Sequence, residues 1–283
     1  MSGFSVATIV KDREDHLRHL VEGLTRQTIP PAELVVVDMG SATPVQVAAC
    51  GFPVHVLRLD GPGLPLARAR NLAARSAGRE RLLFLDVDCI PAAGLIEAMG
   101  GALDAEDALI SADVRYLRPR AVGPDWSEAQ LLARSTRNPA RRFPETGLLR
   151  EDNYGLFWSL AFAVTRARFE SVGGFDERFT GYGAEDTDFA FRMRDAGVPL
   201  YMAGGVGAFH QYHSICSPPL QHFVDIIANA RRFYERWGVL PMTGWLNAFA
   251  ERGLIECDGA AIRVIRQPAA NEIDAARVES SFA

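Results

Sequence analysis

The sequence predicts an α/β protein with a mixed, mostly parallel sheet, because short apolar runs alternate with helical patterns through its first hundred residues. This alternation is typical of βαβ units, in which a helix connects two parallel strands. The first three predicted strands are 6–10, 34–38 and 53–59, and the first helix covers 14–26. A chain of 283 residues, 48% of them hydrophobic, can bury a substantial core.

The next elements lead to a strand that carries two aspartates. An alanine-rich helix ends near Gly78, and the apolar segment RLLFLDVD, residues 81–88, reads as a buried strand ending in Asp86 and Asp88. In open α/β sheets, the loops at this edge form the crevice where ligands bind. Further predicted elements are a strand and then a helix over 156–172, a helix over 184–197, and short strands at 198–202 and 206–209.

The C-terminal part has a different pattern, which predicts a helical extension with a hairpin. Helices are expected at about 220–237 and 242–252, and the hairpin turns at Asp258 and Gly259. The last residues carry little apolar pattern and are expected to be flexible. We therefore divide the chain into a main domain at 1–215, an extension at 216–267 and a flexible tail at 268–283.

A basic segment, residues 118–150, interrupts the regular pattern of the main domain. It contains seven arginines and four prolines. Proline-rich, polar excursions of this length are typical of surface loops, so we expect a mobile loop around one short helix.

Charge and cysteine content narrow the classes of function. A formal charge of −5 disfavours a general affinity for nucleic acid. The sequence has neither a secretory signal nor about 18 consecutive apolar residues, so we expect a cytoplasmic protein without a transmembrane segment, which leaves peripheral membrane contact open. The four cysteines are scattered, which favours reduced thiols over disulfides or a thiolate zinc site.

Asp86 and Asp88 raise the question of a metal site. Side chains two apart on a strand face the same way, so both carboxylates could reach one point above the sheet edge. Such oxygen ligands suit Mg²⁺ or Mn²⁺, and a capping or solvated acidic loop is the alternative. Neither a Gly-x-Gly-x-x-Gly motif nor a Gly-Lys-Ser/Thr phosphate loop is present, so phosphates would be held through the cation.

Three segments carry a family resemblance: VATIVKDREDHLRHLVEGLTRQTIPPAELVVVDMGS, ARARNLAARSAGRERLLFLDVDCIP and VGGFDERFTGYGAEDTDFAFRMRDAG. In this order they resemble an inverting family 2 glycosyltransferase of the Rossmann-like GT-A fold, with a galactosyltransferase-like C-terminal motif. The resemblance spans roughly residues 4–215, the main domain. It implies a nucleotide-sugar donor, usually a UDP-sugar, a glycan acceptor, a Mn²⁺ or Mg²⁺ ion on the Asp-x-Asp motif, and inversion at the anomeric carbon.

The resemblance also assigns residues to the donor site. Asp38, at the end of the second strand, would meet the uracil, and Arg70 would lie near the base or the phosphates. Asp86 would contact ribose or metal, and Arg13, in the KDRED segment, is assigned to the donor as well. The family often reads Asp-Asp-Gly-Ser where this chain has Asp-Met-Gly-Ser, so base and ribose recognition are less well defined; Asp38 as a turn residue and Arg70 as a solvated helix position remain alternatives.

Three residues are expected to bind the metal. By resemblance Asp88 would be the direct ligand. His210 and His213 follow a short strand, a turn can bring positions three apart together, and neutral imidazole binds Mn²⁺-like ions. In β-1,4-galactosyltransferases, which this motif resembles, two metal-binding residues likewise lie three apart. Two ordinary surface histidines are the alternative.

The GYGAED motif is assigned to the acceptor side of the cleft. Asp186 is expected to be the general base, ionised at the N-terminus of a helix, and Glu185 to hydrogen-bond acceptor hydroxyls. Gly183 is placed at the acceptor too, and Trp158 and Tyr182 could stack on a sugar ring. Acidic residues that complement the helix dipole, and aromatic residues that pack in the core, are the alternatives.

Other functions stay open at this stage. A sugar-phosphate nucleotidylyltransferase would carry a Gly-Gly-x-Gly-Thr-Arg loop after the first strand, and VKDREDH does not match it. A non-catalytic relative that binds nucleotide sugars or glycans is the other alternative, although Asp88, Asp186 and His213 are intact. The basic segment could be a lid over the diphosphate or a solvated excursion. The hexose, the acceptor, the linkage and the oligomeric state are undetermined.

Overall fold

A computed structural model describes residues 3–61, 63–259 and 261–278. A ten-stranded sheet forms the centre of this described part. Its strands are β1 (Phe4–Val10), β2 (Glu33–Asp38), β3 (Val54–Arg58), β4 (Arg81–Leu85), β5 (Cys89–Pro91), β6 (Leu109–Leu117), β7 (Ser135–Arg137), β8 (Leu148–Glu151), β9 (Ala161–Thr165) and β10 (Leu200–His210).

The sheet is mixed and mostly parallel, which confirms the predicted fold class. Its order is β3-β2-β1-β4-β9-β6-β10-β5, with β7 beside β6 and β8 beside β10. Strands β3, β2, β1, β4, β6 and β10 run in one direction, and β9 runs the opposite way between β4 and β6. The carboxyl ends of β1, β2, β4 and β10 therefore meet at one edge, where a ligand cleft is expected.

Helices cover both faces of the sheet. The helices of the main domain are α1 (Glu14–Thr25), α2 (Leu66–Ser76), α3 (Leu95–Ala105), α4 (Glu128–Ala133), α5 (Arg166–Ser171) and α6 (Glu185–Asp195). Alternate residues of β1 face opposite sides: Val6 and Val10 join the core under α1 and α3, and Ala7 and Ile9 join the core under α2 and α6. Burial on both faces explains why these strands read as continuous apolar runs.

Strand β10 differs from the prediction, since the two short strands expected between 198 and 209 form one strand. Its register with β6 shifts between Ala203 and Ala208, and Gly204 and Gly205 lie in this irregular stretch. A side chain at Gly204 would approach the carbonyl oxygen of Pro144 to 2.7 Å. These glycines therefore accommodate a bulge and a close backbone approach within one strand.

The basic segment is also more regular than predicted. It contains α4 as expected, but also β7 and β8, which pair with β6 and β10. Ser127 and Gln130 form a capping box at the start of α4, and Arg137 donates to the buried Asp113 carboxylate at 2.9 Å. The expectation of a mobile loop is therefore wrong for these elements: short, half-exposed strands carry little apolar pattern, and their partners lie far away in the sequence.

The C-terminal extension matches the predicted helices and hairpin. Its elements are α7 (Phe223–Trp237), α8 (Thr243–Glu251) and the antiparallel pair β12 (Ile255–Cys257) and β13 (Ile262–Val264). Beyond them, where a flexible tail was expected, α9 (Ala270–Ala275) is followed by β14 (Arg277–Val278), which pairs with β11 (Ile215–Cys216). This pairing joins residues 277–278 to the end of the main domain. The last part of the expected tail, 279–283, lies outside the described residues. None of the helices described is both long and apolar enough to cross a membrane.

Candidate active site

The pairing of β5 with β10 brings Asp88 close to His210 and His213. Cys89 pairs with His210 across this antiparallel ladder, so the preceding residue, Asp88, lies beside the end of β10. The backbone N–H of Gln211 donates to the Asp88 carbonyl oxygen at 2.6 Å. Residues more than a hundred positions apart in the sequence therefore meet at the edge of the sheet.

Asp88, His210 and His213 form a cluster with the chemistry of a divalent-cation site. Their ligand atoms all lie within 4.8 Å of one another. The imidazole Nε2 atoms of His210 and His213 are each 3.4 Å from a different carboxylate oxygen of Asp88. Asp88 is only 8% exposed, and its Oδ1 atom is buried without a hydrogen bond among the described residues. A carboxylate that faces two imidazoles and has one orphaned oxygen fits Mn²⁺ or Mg²⁺.

The protonation states of this cluster also suit a metal. Burial would raise the pKa of Asp88, but His210, His213 and Arg13 outweigh that effect and hold it well below its usual range. Burial lowers the pKa of His210, although Asp88 opposes the shift. A deprotonated carboxylate beside a neutral imidazole is the form in which both side chains bind a cation. Arg13, an expected donor residue, donates to Asp88 Oδ2 at 3.1 Å.

Residues around the cluster fix its geometry, and the sequence did not single them out. Gln211 is 4% exposed, donates to the carbonyl oxygen of His16 at 3.0 Å, and contacts His19 Nδ1 at 2.7 Å. It thereby joins α1 to the turn between the two histidines. The ring of Tyr116 lies 5.0 Å from that of His210. The polar residue between the histidines of AFHQYHS, Gln211, is visible in the sequence, but its partners on α1 lie almost two hundred positions away and were not predictable from the local pattern.

Arg70 connects Asp86, in the Asp-x-Asp motif, to Glu185, in the GYGAED motif. This arginine is 4% exposed and donates to Asp86 Oδ1 and to Glu185 Oε1, both at 3.0 Å. Strand β4 ends before Asp86, so the expectation that Asp86 and Asp88 share one strand face is wrong. Because a turn follows the strand, Asp86 faces Arg70 while Asp88 faces the histidines. The alternative of a solvated Arg70 is excluded by its burial.

The carboxylates beside Arg70 have raised pKa values. Burial raises the pKa of Asp86 to about 6, with Arg70 opposing the shift. Burial, together with Asp186, raises the pKa of Glu185 to about 7. Asp86 interacts electrostatically with both Asp88 and Asp186. The Asp88-His210-His213 cluster and the Glu185-Asp186 pair therefore belong to one electrostatic network. Such clusters of perturbed groups are typical of active sites.

Asp186 lies in the first turn of α6, as predicted. Its carboxylate accepts hydrogen bonds from the backbone N–H groups of Thr187, at 2.7 Å, and Ser159, at 3.4 Å. Burial nevertheless raises its pKa, contrary to the expectation that the helix terminus would dominate. Ala184, directly before the helix, has a φ of 69°, a left-handed conformation that costs energy for a residue other than glycine.

Asp38 is enclosed by its own turn. It is 1% exposed, and its carboxylate accepts from the backbone N–H groups of Ser41, at 2.8 Å, and Val45, at 3.3 Å. Arg58 donates to the same carboxylate at 2.9 Å. These contacts match the alternative that Asp38 stabilises a turn, and its contact with a base stays a prediction.

The three expected acceptor residues lie near Asp186 but have other contacts. Trp158 precedes Ser159 and is partly buried. The ring of Tyr182 stacks on His222, 4.4 Å away, and on Trp245 in α8, 5.8 Å away. Gly183 has a φ of 99°, and a side chain there would meet the Met242 sulfur at 2.7 Å. Tyr182 and Gly183 therefore pack against the C-terminal extension, and their contact with an acceptor stays a prediction.

Comparison with known families shows the class of protein to which this chain belongs. Residues 5–172 match the family described as "Glycosyl transferase family 2". Residues 149–215 match a second family, described as the N-terminal domain of galactosyltransferase. Since the first match covers more than half of the chain, the protein belongs to glycosyl transferase family 2.

Curated relatives are glycosyltransferases and glycan synthases. The chain is 26% identical over 278 residues to validoxylamine A glucosyltransferase from Streptomyces hygroscopicus subsp. limoneus, covering 88% of this chain and 60% of that protein. It is 28% identical over 214 residues to the pre-mycofactocin glycosyltransferase of Mycobacterium tuberculosis, covering 69% of this chain and 40% of that protein. The chain thus spans 60% or less of the length of these relatives.

Solved structures share the fold. GalNAc-T7 with UDP, GalNAc and Mn²⁺ superposes with a TM-score of 0.58 at 17% identity, covering 89% of this chain and 57% of that chain. S. aureus TarS in complex with UDP gives a TM-score of 0.55 at 18% identity, covering 89% and 71% of the two chains. These likenesses confirm the GT-A fold that the sequence predicted.

Proposed function

We propose that this chain is a metal-dependent, inverting glycosyltransferase that transfers a hexose from a nucleotide sugar, most simply a UDP-sugar, to a hydroxyl group of a carbohydrate acceptor. The observation that carries the proposal is the single network at the sheet edge. This network joins the Asp88-His210-His213 cluster to the Glu185-Asp186 pair through Arg70 and Asp86. Relatives that transfer glucose, and a fold neighbour that contains UDP and Mn²⁺, support it.

Asp88, His210 and His213 would hold Mn²⁺ or Mg²⁺ through one carboxylate and two imidazoles. A bound divalent ion neutralises the donor diphosphate and the charge that develops on the departing nucleotide. Arg13, 3.1 Å from Asp88, adds a second positive charge on the donor side. Asp86 and Arg70 complete that side, with Asp38 at the end of β2 for the base.

Asp186 would act as the general base. In a direct displacement the bond from the anomeric carbon to the phosphate oxygen breaks as a bond to the acceptor oxygen forms, and the acceptor proton passes to the Asp186 carboxylate. Burial raises the pKa of Asp186, which makes this carboxylate a stronger base than a solvated one. Such proton transfer is typically worth about 10²- to 10⁴-fold in rate.

Glu185 and its neighbours would orient the acceptor. Glu185 is held by Arg70, which fixes its carboxylate beside Asp186. In this proposal Glu185 hydrogen-bonds acceptor hydroxyls, Gly183 lies beside them, and Trp158 and Tyr182 supply aromatic surface.

A donor screen tests the proposal directly. UDP- and GDP-sugars with Mn²⁺ are scored for thermal stabilisation and for slow hydrolysis, which needs no acceptor. One donor class should be hydrolysed, EDTA should stop hydrolysis, and Mn²⁺ or Mg²⁺ should restore it. Full activity in excess EDTA contradicts metal dependence, and NMR of a transfer product that retains the donor's anomeric configuration contradicts inversion.

Two sets of variants separate the roles. Asp186→Asn should keep donor and metal affinity and lose most transfer, by about 10²-fold or more. His213→Ala should raise the Mn²⁺ concentration needed for half activity, whereas the exposed His55 on β3 provides a control, His55→Ala, that should not. Near-normal transfer by the Asp186 variant excludes that base, and unchanged metal dependence in the His213 variant excludes that ligand.

The donor screen, with one added assay of a nucleoside triphosphate and a sugar phosphate, distinguishes the alternative functions. A nucleotidylyltransferase would release pyrophosphate from a nucleoside triphosphate and a sugar phosphate. A non-catalytic relative would be stabilised by a nucleotide sugar without hydrolysing it.

A further inference from the structure

Arg141 is a buried guanidinium group that the proposed reaction does not use. It lies in the basic segment between β7 and β8 and is 5% exposed. The segment is attached to the sheet around it, since the Gly204 backbone N–H donates to the Gly147 carbonyl oxygen at 2.8 Å. The side chain is therefore held inside the protein by ordered backbone on both sides.

This arginine lacks the partners that buried charges normally have. Nη2 donates to Ser111 Oγ at 2.5 Å, whereas Nε is buried without a hydrogen bond. No carboxylate in the described part of the chain lies within ion-pair distance, 4.0 Å, of its nitrogens. The guanidinium carbon lies 4.9 Å from the centre of the Phe143 ring and 5.0 Å from that of Trp158. Burial lowers the pKa of Arg141 to about 10, so the group is still a cation at neutral pH.

Arg70 shows what a structurally satisfied arginine looks like in the same cleft. It is equally buried but bridges two carboxylates, Asp86 and Glu185. A buried charge without a partner costs several kcal/mol unless another group compensates it. This cost is comparable to the net stability of a whole domain. For Arg141 the aromatic rings and one hydroxyl group compensate only part of that cost.

The position of Arg141 indicates where a compensating ligand would bind. Trp158, against which it lies, precedes the Ser159 N–H that donates to Asp186. Arg141 also interacts electrostatically with Tyr116, whose ring contacts His210, and with two carboxylates, Asp113 and Asp186. It therefore lies between the Asp88-His210-His213 cluster and the proposed base, Asp186.

We propose that Arg141 binds a carboxylate or phosphate group of the acceptor, so that the acceptor is an anionic sugar or glycan. The guanidinium fork matches both anions in a bidentate geometry that lysine cannot reproduce. This inference rests on the proposed glycosyl transfer and specifies its acceptor class. The donor diphosphate carries the same chemistry and is the competing source of an anion.

The test uses two variants that remove the same charge from neighbouring positions. Arg141→Met removes the buried guanidinium, and Arg142→Met removes the exposed one beside it as a control. Arg141→Lys keeps the charge and removes the fork. Each protein is assayed for UDP affinity with Mn²⁺, for donor hydrolysis without acceptor, and for melting temperature.

Acceptor preference is measured with matched charged and neutral compounds: methyl glucuronide against methyl glucoside, and glucose 6-phosphate against glucose. The wild-type protein should be stabilised more by one charged member than by its neutral partner. Where transfer occurs, it should favour that charged member by about tenfold or more in kcat/KM. Arg141→Met should lose this preference and Arg141→Lys most of it, while Arg142→Met should keep it. UDP affinity and donor hydrolysis should stay at the wild-type level in all three.

The melting temperature separates binding from a structural role. If Arg141 serves a ligand, Arg141→Met should melt at the same temperature as the wild-type protein or higher, since an uncompensated charge is removed. A large fall in melting temperature in both Arg141 variants overturns the proposal in favour of a structural arginine. Loss of UDP affinity assigns Arg141 to the donor diphosphate, and equal response to charged and neutral compounds excludes anion recognition. Failure of the proposed function is distinct, since no donor would then be hydrolysed by any variant.

Discussion

Asp88 and Asp188 are two buried carboxylates surrounded by cationic side chains, and they differ in what their oxygens accept. Asp188, in the first turn of α6, is completely buried. It accepts from Arg192 Nε at 2.8 Å, from Arg236 Nη1 at 2.7 Å and from Trp237 Nε1 at 3.0 Å. Both of its oxygens are satisfied, and they connect α6 to α7.

Asp88 is incompletely satisfied by comparison. Its Oδ2 accepts from Arg13, but its buried Oδ1 has no hydrogen bond in the described structure. Buried polar atoms are almost always paired, so an unpaired oxygen indicates a missing partner. Of these two aspartates, the saturated one connects two helices, and the unsaturated one belongs to the cluster with the chemistry of a cation site.

Asp88→Asn should have the largest effect on activity. An amide is a poor ligand for Mn²⁺ or Mg²⁺, so donor hydrolysis should fall by about 10³-fold, as when a principal stabiliser of developing charge is removed. Calorimetric titration with Mn²⁺ should show the loss directly, with little change in melting temperature. Wild-type Mn²⁺ affinity in this variant would break the comparison.

Asp188→Asn should act on stability instead. Removing the charge breaks the ion pairs of Asp188 with Arg192 and Arg236, although Arg236 keeps its second partner, Asp176. Breaking a buried ion pair typically costs about 3 kcal/mol. Urea unfolding should show this loss, while the Mn²⁺ dependence of the folded fraction stays unchanged. A variant with full stability and altered metal dependence would mean that saturation does not distinguish the two aspartates.

The sequence predicted the parts of the site that depend on strand ends. Asp88, His210 and His213 were assigned to one metal site by the family resemblance, and the structure brings them together where apolar strands end at the sheet edge. The GYGAED loop was recognisable because glycines precede acidic residues at a helix start.

Burial and long-range pairing were not predictable. Arg141 read as part of a solvated loop because arginine-rich composition carries no sign of the sheet edge that encloses it. The raised pKa of Asp186 has the same origin, since a helix start is visible in sequence and the surrounding core is not. Strands β7 and β8 were missed because their partners lie elsewhere in the chain.

Glu185 lies between the cases of Asp88 and Asp188, since Arg70 is its ion-pair partner. The pH dependence of its protonation should sharpen the comparison of these carboxylates. Burial raises its pKa from 4.5 to about 7. Between these values the folded protein holds a proton that the unfolded chain has released, so the free energy of unfolding should fall as pH rises. Glu185→Gln should remove this loss, which is on the order of 3 kcal/mol.

Urea unfolding of the metal-free protein at pH 4.5, 6 and 8 measures this difference. The exposed Glu145 provides the control, Glu145→Gln, which should follow the wild-type protein at every pH. Parallel stability profiles for the wild-type protein and Glu185→Gln would show that Glu185 titrates normally.

Arg13→Gln should have the smallest effect, and its sign is informative. Arg13 contacts Asp88 Oδ2 at 3.1 Å from a position that is about one-third exposed, so it competes with a cation for that oxygen. Its removal should increase Mn²⁺ affinity by a few-fold, because a partly exposed ion pair is worth about 1 kcal/mol or less. Donor affinity at saturating Mn²⁺ should fall instead, since a positive charge near the diphosphate is lost. Opposite shifts in the two titrations would mean that Arg13 shields Asp88 before the metal arrives and then serves the donor. If Mn²⁺ affinity falls together with donor affinity, Arg13 orients Asp88 rather than competing with the cation for it. In that case Oδ1 is the only oxygen of Asp88 that is available to bind a ligand.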